Sequence, residues 1–191
     1  THALARSVRP TGHVYTFDFH EQRVSVAQEE FSAHGLGEVV TSRHRDVCKQ
    51  GFGEELEGRA DAVFLDLPHP WLVIEHTIRT IKDSGGRFCS FSPCIEQVQK
   101  TCGTLHATGF TDIQTVECLR KEYSVQNRSF PLALADKEDS GPKVHTMPCL
   151  VLPATMPGHT GYLTCASLPP QWARTVRIQR RPSPGDTPPL Q

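Results

Sequence analysis

The chain has 191 residues, enough for one domain of ordinary size, and its 20 Lys and Arg nearly balance its 21 Asp and Glu for a formal net charge of -1. That balance excludes a histone-like binder held to nucleic acid by bulk charge, but not RNA binding through a local patch or beside a basic partner. The apolar share of 37% is lowered by 15 prolines, many of them near the C-terminus, so the folding part is richer in apolar residues than the average.

The chain opens without a methionine, and Thr1–Arg6 reads as the inside of a helix, so it is expected to begin partway through a larger protein. After the turn signal Pro10-Thr11-Gly12, the alternation in His13–Phe19 predicts a strand. Glu21–His34 carries Val24, Ala27 and Phe31 at helical spacing and stops at Gly35. Glu38–Ser42 reads as a short strand. Ala60–Leu65 is a near-continuous apolar run ending in Asp66, the pattern of a parallel strand buried on both faces. Trp71–Lys82 reads as a helix closed by Ser84-Gly85-Gly86, then Gly86–Phe91 as a strand, Cys94–Ala107 as a helix ended by Gly109, and Asp112–Leu119 as a strand. Strands alternating with helices predict βαβ units and a parallel sheet.

From Gln126 to Pro157 the prolines and the Asp136–Gly141 stretch predict a long loop, set at 127–157, with a disordered part. Gly158–Ala166 regains strand character. The expected division is a domain over 1–166 and a disordered tail over 167–191, rich in Pro and Arg, with a basic cluster at Arg174, Arg177, Arg180 and Arg181.

The seven cysteines, Cys48, Cys89, Cys94, Cys102, Cys118, Cys149 and Cys165, are odd in number and form no CxxC. Neither a disulfide framework nor a zinc spacing is predicted, no HxxxH occurs, and no metal is expected. A reducing compartment follows. No run approaches a membrane span and no signal peptide is visible, so no membrane is expected. No GxSxG elbow points to nucleophilic hydrolysis.

Ligands of open parallel sheets bind at the carboxyl ends of strands. Asp18, Asp46 and Asp66 fall at or near such ends. One such carboxylate can chelate ribose hydroxyls, a second can accept from an adenine amino group, and a third can face the reacting group. Asp18 and Asp46 read equally well as turn formers or helix caps. Asp66 is the more pointed of the three, because Pro68 and Pro70 stiffen the loop after it.

These segments, in this order, resemble the catalytic subunits of the eukaryotic tRNA (adenine-58-N1)-methyltransferases. The likeness rests on Thr11-Gly12-His13 with Thr16–Arg23, on Asp46-Val47-Cys48, on Ala62–Pro68 with Pro70-Trp71, on GGRFCSFSPCIEQVQ at Gly85–Gln99, and on Gly158–Thr164. It spans about Thr1 to Ala166.

The resemblance implies an α/β fold, a Rossmann-like class I S-adenosylmethionine-dependent methyltransferase sheet with its first strand missing. Asp18 would hold the ribose, with Arg23 nearby, Asp46 and Val47 the adenine, and Asp66 would lie at the cofactor and carry catalysis. Leu65, Leu67 and Pro68 would shape the target-base pocket. Ser90, Phe91, Ser92, Pro93, Cys94, Ile95, Glu96 and Gln97 would line it, and His159 and Thr160 would touch tRNA. The resemblance further implies a related non-catalytic subunit, a heterotetramer and a nuclear location.

The family's N-terminal β domain and glycine-rich loop have no counterpart here, so the chain alone is expected to be poorly stable and inactive. The alternative is a non-catalytic fragment or isoform that retains only a partner-binding surface. An NAD-dependent dehydrogenase would give the Gly85–Gln99 run no role.

Overall fold

A computed structural model describes residues 1–117, 123–131, 144–153, 155, 158 and 160–174. The chain divides into two units, Thr1–Val116 with Tyr162–Gln191, and Glu117–Gly161.

The first unit opens with helix α1 (His2–Val8), strand β1 (Val14–Asp18), helix α2 (Glu21–Ala33) and strand β2 (Val40–His44). β1 and β2 pair in parallel, Val14 opposite Val40 and Asp18 opposite His44. The helical spacing read in α2 is used as the sequence predicts: Val24 and Phe31 are buried, and Phe31 packs with Ala5, Leu36 and Val40 in a small core. β2 starts two residues later than expected.

Next come α3 (Val47–Gln50), a 3-10 turn at Glu54–Leu56, β3 (Ala62–Leu65), a 3-10 turn at Pro70–Val73, α4 (Ile74–Thr80), β4 (Gly86–Ser92), α5 (Ile95–Ala107) and β5 (Thr111–Val116). The helix expected from Trp71 begins as a 3-10 turn with Pro70 at its first position, where the missing N–H costs nothing. α5 buries Val98, Thr101 and Leu105, one stripe at helical spacing.

A second sheet runs in the order β3-β4-β8-β5, β8 being Tyr162–Leu168. β3 and β4 are parallel, but β8 is antiparallel to both β4 and β5. The sheet is therefore mixed, which corrects the expectation of an all-parallel one. Strand β8 also carries the folded part past residue 166, through Ser167 and Leu168 to a 3-10 turn at Gln171–Ala173. The tail expected from 167 is thus ordered at its start, while Arg177, Arg180 and Arg181 lie outside the described residues.

The main core gathers Leu65, Val73, Ile74, Ile81, Phe88, Leu105, Ala166 and Leu168 with several neighbours. Full burial of one such side chain contributes about 1.5–3 kcal/mol. Phe17 of β1 packs against this core and meets Phe52 edge to face at 5.5 Å. The turn into β4 requires glycine: a Cβ on Gly85, at φ +91°, would sit 2.6 Å from the Leu168 carbonyl oxygen, and one on Gly86 2.5 Å from that of Asp61.

Among the described residues β1 pairs only with β2 and β3 only with β4. β3 alternates, with Val63 and Leu65 buried while Ala62 is exposed and Phe64 is 45% exposed. The apolar run predicted burial on both faces. One face stays open because no described element covers it.

The second unit corrects the expected loop. Ser124–Pro131 (β6) and Val144–Val151 (β7) form an antiparallel ribbon in unbroken register, from Ser124 opposite Val151 to Pro131 opposite Val144. Pro131 and Pro148 made the segment read as a loop, but Pro131 closes β6 and both strands are edges, where proline is tolerated.

Candidate active site

The parallel register of β1 and β2 ends both strands at one level, and the Arg45 N–H donates to the Asp18 carbonyl at 2.9 Å. Oδ1 of Asp18 accepts from the His20 N–H at 2.8 Å and faces Nη2 of Arg23 at 3.0 Å. Both contacts fall on one oxygen, so Oδ2 has no hydrogen bond among the described residues. Arg23 also lies 5.2 Å over the Phe19 ring, which is 59% exposed. Phe19 was not singled out in the sequence, and only its aromatic neighbourhood to Arg23 signals it.

Asp46 caps α3, its Oδ1 accepting from the Cys48 N–H at 3.1 Å and its Oδ2 lying 3.3 Å from Nζ of Lys49. The capping role open in the sequence is therefore occupied. Val47 buries its side chain in the core, and its N–H, at the first position of the helix, has no intrahelical acceptor. Burial, and then the Asp46 carboxylate, push the Cys48 thiol up.

Asp66 directly follows β3 and is exposed. Leu65, 2% exposed, lies in the core beneath the loop, Leu67 is half-buried against the core and Pro68 is exposed. The loop is braced from α5: Nε2 of Gln97 donates to the Pro68 carbonyl at 2.8 Å, while Oε1 accepts from the Cys94 N–H at 3.1 Å. Gln97 was expected to contact substrate, yet both ends of its carboxamide hold the chain itself. The signal was present as Cys94-Ile95-Glu96-Gln97, a capping box with Cys in the place of Ser or Thr. Lys100 lies 5.0 Å over Trp71, which is 5.1 Å from His69, so the far side of the loop is packed as well.

β4 runs beside β3 with Leu65 opposite Ser90. Ser90 and Ser92 are buried, and neither hydroxyl has a hydrogen-bond partner among the described residues. Phe91 is half-buried, whereas Pro93, Cys94, Ile95 and Glu96 are exposed on the turn into α5. Thr160 lies in the second unit, where its N–H donates to Oε1 of Glu117 at 2.8 Å. His159 lies outside the described residues.

Acids at the carboxyl ends of parallel strands that alternate with helices suit a Rossmann-like α/β domain, and the structural comparisons place it in the class I S-adenosylmethionine-dependent methyltransferase fold. An S-adenosylmethionine-dependent O-methyltransferase from Thermotoga maritima matches 87% of this chain and 53% of its own at TM-score 0.61 and 28% identity. A tRNA (m1A58) methyltransferase from Aquifex aeolicus has the same fold, at TM-score 0.60 and 23% identity over 86% of this chain and 57% of its own. Residues 1–147 match the family described as the tRNA methyltransferase complex GCD14 subunit, and the chain belongs to that family. A tRNA (adenine(58)-N(1))-methyltransferase catalytic subunit of Dictyostelium discoideum is 45% identical over 130 residues, 67% of this chain and 41% of that protein. One of Cryptococcus neoformans is 47% identical over 126 residues, 65% of this chain and 28% of that protein. The chain thus spans 41% and 28% of the length of these two relatives.

Proposed function

We propose that this chain is part of the catalytic subunit of an S-adenosylmethionine-dependent tRNA (adenine-58-N1)-methyltransferase, working in the nucleus. The observation that carries the reading is Asp66, an exposed carboxylate at a strand end, on a loop tied by Gln97 to the neighbouring helix.

The residues present fit the adenosine half of the cofactor. Asp18 offers a carboxylate oxygen without a partner to the ribose hydroxyls, Arg23 holds that carboxylate in place, and the free Val47 N–H suits an adenine ring nitrogen. Asp46 serves this half by fixing the start of α3. Among the described residues these groups serve the adenosine half, and no glycine-rich cradle for the methionine end occurs among them. When bound, S-adenosylmethionine supplies an electrophilic methyl group.

Adenine N1 gains positive charge as it is methylated. Asp66, accepting a hydrogen bond from the exocyclic amino group, favours that charge as it develops and can take the proton afterwards. Leu67 and Pro68 shape the base pocket, with Leu65 supporting them from the core. The turn from Ser90 to Glu96 lines it, and the orphaned Ser92 hydroxyl is matched to a polar edge of the base. A base in the T-loop must be turned out of its stack to reach such a pocket. His159 and Thr160 serve the tRNA.

The reading includes a related non-catalytic subunit in a heterotetramer. The β6–β7 ribbon supports it, since Val125, 70% exposed, and Leu150, 73% exposed, sit opposite each other on one face with Pro131 and Val144. Exposed apolar faces of this kind mark interaction surfaces.

Calorimetric titration with S-adenosylmethionine tests the reading, on this chain and on a version extended at its N-terminus by the strand and glycine-rich loop of its relatives. Binding by the extended version, weakened by Asp18→Ala, is the expected result. Failure of both folded versions to bind would overturn it in favour of a non-catalytic chain that keeps only the partner surface.

A further inference from the structure

The sequence predicts no metal site because it holds no HxxxH and no His/Cys/Asp set at ligand spacing. The fold brings three possible ligands together from two helices. His2 of α1 and Glu30 and His34 of α2 each present a ligand atom, and these atoms lie within 4.8 Å of one another. Nε2 of His2 is 2.9 Å from Nδ1 of His34, which is 3.9 Å from Oε1 of Glu30. Ligand atoms about 2.0–2.1 Å from a tetrahedral zinc ion sit about 3.3–3.4 Å apart, a value those distances bracket. The His2 ring is held against buried Phe31, edge to face at 5.3 Å, so its position is fixed by packing.

We propose that His2, Glu30 and His34 bind a zinc ion that joins α1 to α2. Two imidazoles and one carboxylate favour zinc over the oxygen-seeking magnesium and calcium. In the ion-free chain one of the two facing nitrogens carries a proton. Zinc takes that place, and the proton moves through solvent to the other nitrogen of the same ring. His2 and His34 also line a cleft of about 330 Å³, which leaves room for a water as the fourth ligand. Arg6 and Arg9 line that cleft and oppose a cation, but Arg9 is turned onto the Gly35 carbonyl at 2.6 Å and the Glu30 carboxylate supplies the opposing charge. The site lies outside the proposed catalytic groups and stands independently of the methyl-transfer reading.

The test is zinc titration by calorimetry, with cobalt as a spectroscopic stand-in, on the full chain and on His2→Ala, His34→Ala and His34→Cys. One equivalent of zinc should bind and should raise the melting temperature. The two Ala variants should weaken binding by more than about tenfold, the loss that even outer-shell changes produce. His34→Cys should restore tetrahedral binding, with a thiolate band in the cobalt spectrum. Imidazole NMR on the unmodified chain guards against a variant that fails to fold, since zinc must shift the His2 and His34 signals. No zinc uptake, equal uptake by the His2→Ala/His34→Ala double variant, or a response of these signals to inorganic phosphate but not to zinc would each overturn the proposal.

Discussion

Gln97 donates its side-chain N–H to the carbonyl of Pro68, across 29 residues and between two elements, at 2.8 Å. Its other end caps α5 through the Cys94 N–H. One carboxamide therefore sets the height of the loop that carries Asp66 relative to the helix beside it. The two bonds separate cleanly in Gln97→Glu, which keeps the acceptor for Cys94 but puts an oxygen against the Pro68 carbonyl. If the complete protein is the methyltransferase proposed above, this variant of it should keep its thermal stability within about 1 kcal/mol. Its kcat should nevertheless fall by about 10- to 100-fold, because a small displacement of the reacting geometry is enough. Steady-state tRNA methylation with matched melting curves reads both, and an active Gln97→Glu enzyme would mean that the loop is held by other contacts.

Asp66 has no structural duty: it is exposed, and no hydrogen bond or ion pair of its side chain occurs among the described residues. On the proposed reading, its replacement by Asn removes the charge that would meet the developing cation in the complete enzyme. Stability should change by no more than about 0.5 kcal/mol, as at ordinary surface positions. The kcat of the complete enzyme should drop about 10²- to 10³-fold, the scale for losing one preorganised electrostatic partner. Asp66→Ala should fall further while tRNA binding, read by filter retention, stays near its original strength. If tRNA affinity collapsed with kcat unchanged, Asp66 would be a substrate-holding group rather than a catalytic one.

Most helices and strands of the first unit were legible because each has its own local signal, the four-residue helix α3 being too short to carry one. Val24 and Phe31 keep helical spacing, and Gly35 and Gly109 stop their helices with the positive φ that glycine permits. What the sequence hid was pairing between distant segments. Nothing within Gly158–Ala166 says that β8 runs antiparallel between β4 and β5, since direction is set by partners rather than by residue pattern. Burial of β3 was over-read for the same reason: Phe64 is apolar, but burial requires a covering layer that the described residues lack. The ribbon of β6 and β7 was missed because Pro131 and Pro148 were weighed as breakers without knowing that both strands are edges. At the site the strand-end acids were legible and their partners were not. Oδ1 of Asp46 was readable as either a cap or a ligand, and the Cys48 N–H occupies it.

Cys89 and Cys165 stand opposite each other on β4 and β8, with Sγ atoms 3.5 Å apart and the Cys165 thiol donating to that of Cys89. Burial first, and then the neighbouring Cys165, push the Cys89 thiol up from 9.0 to about 12. Between those values the unfolded chain has lost a proton that the folded chain still holds. The contribution of Cys89 to stability is therefore complete below pH 9 and is lost as pH rises toward 12. Denaturant melts from pH 8 to pH 11 should show a decline that is shallower in Cys89→Ser, which keeps an acceptor for Cys165 but does not ionise in that range. Labelling gives a second reading at pH 8: iodoacetamide should modify the exposed Cys94 while leaving Cys89 a thiol, as mapped by mass spectrometry of the digested chain. Equal labelling of Cys89 and Cys94 in the folded chain would show that the β4–β8 pairing opens freely, and the shielding assigned to this thiol pair would be wrong.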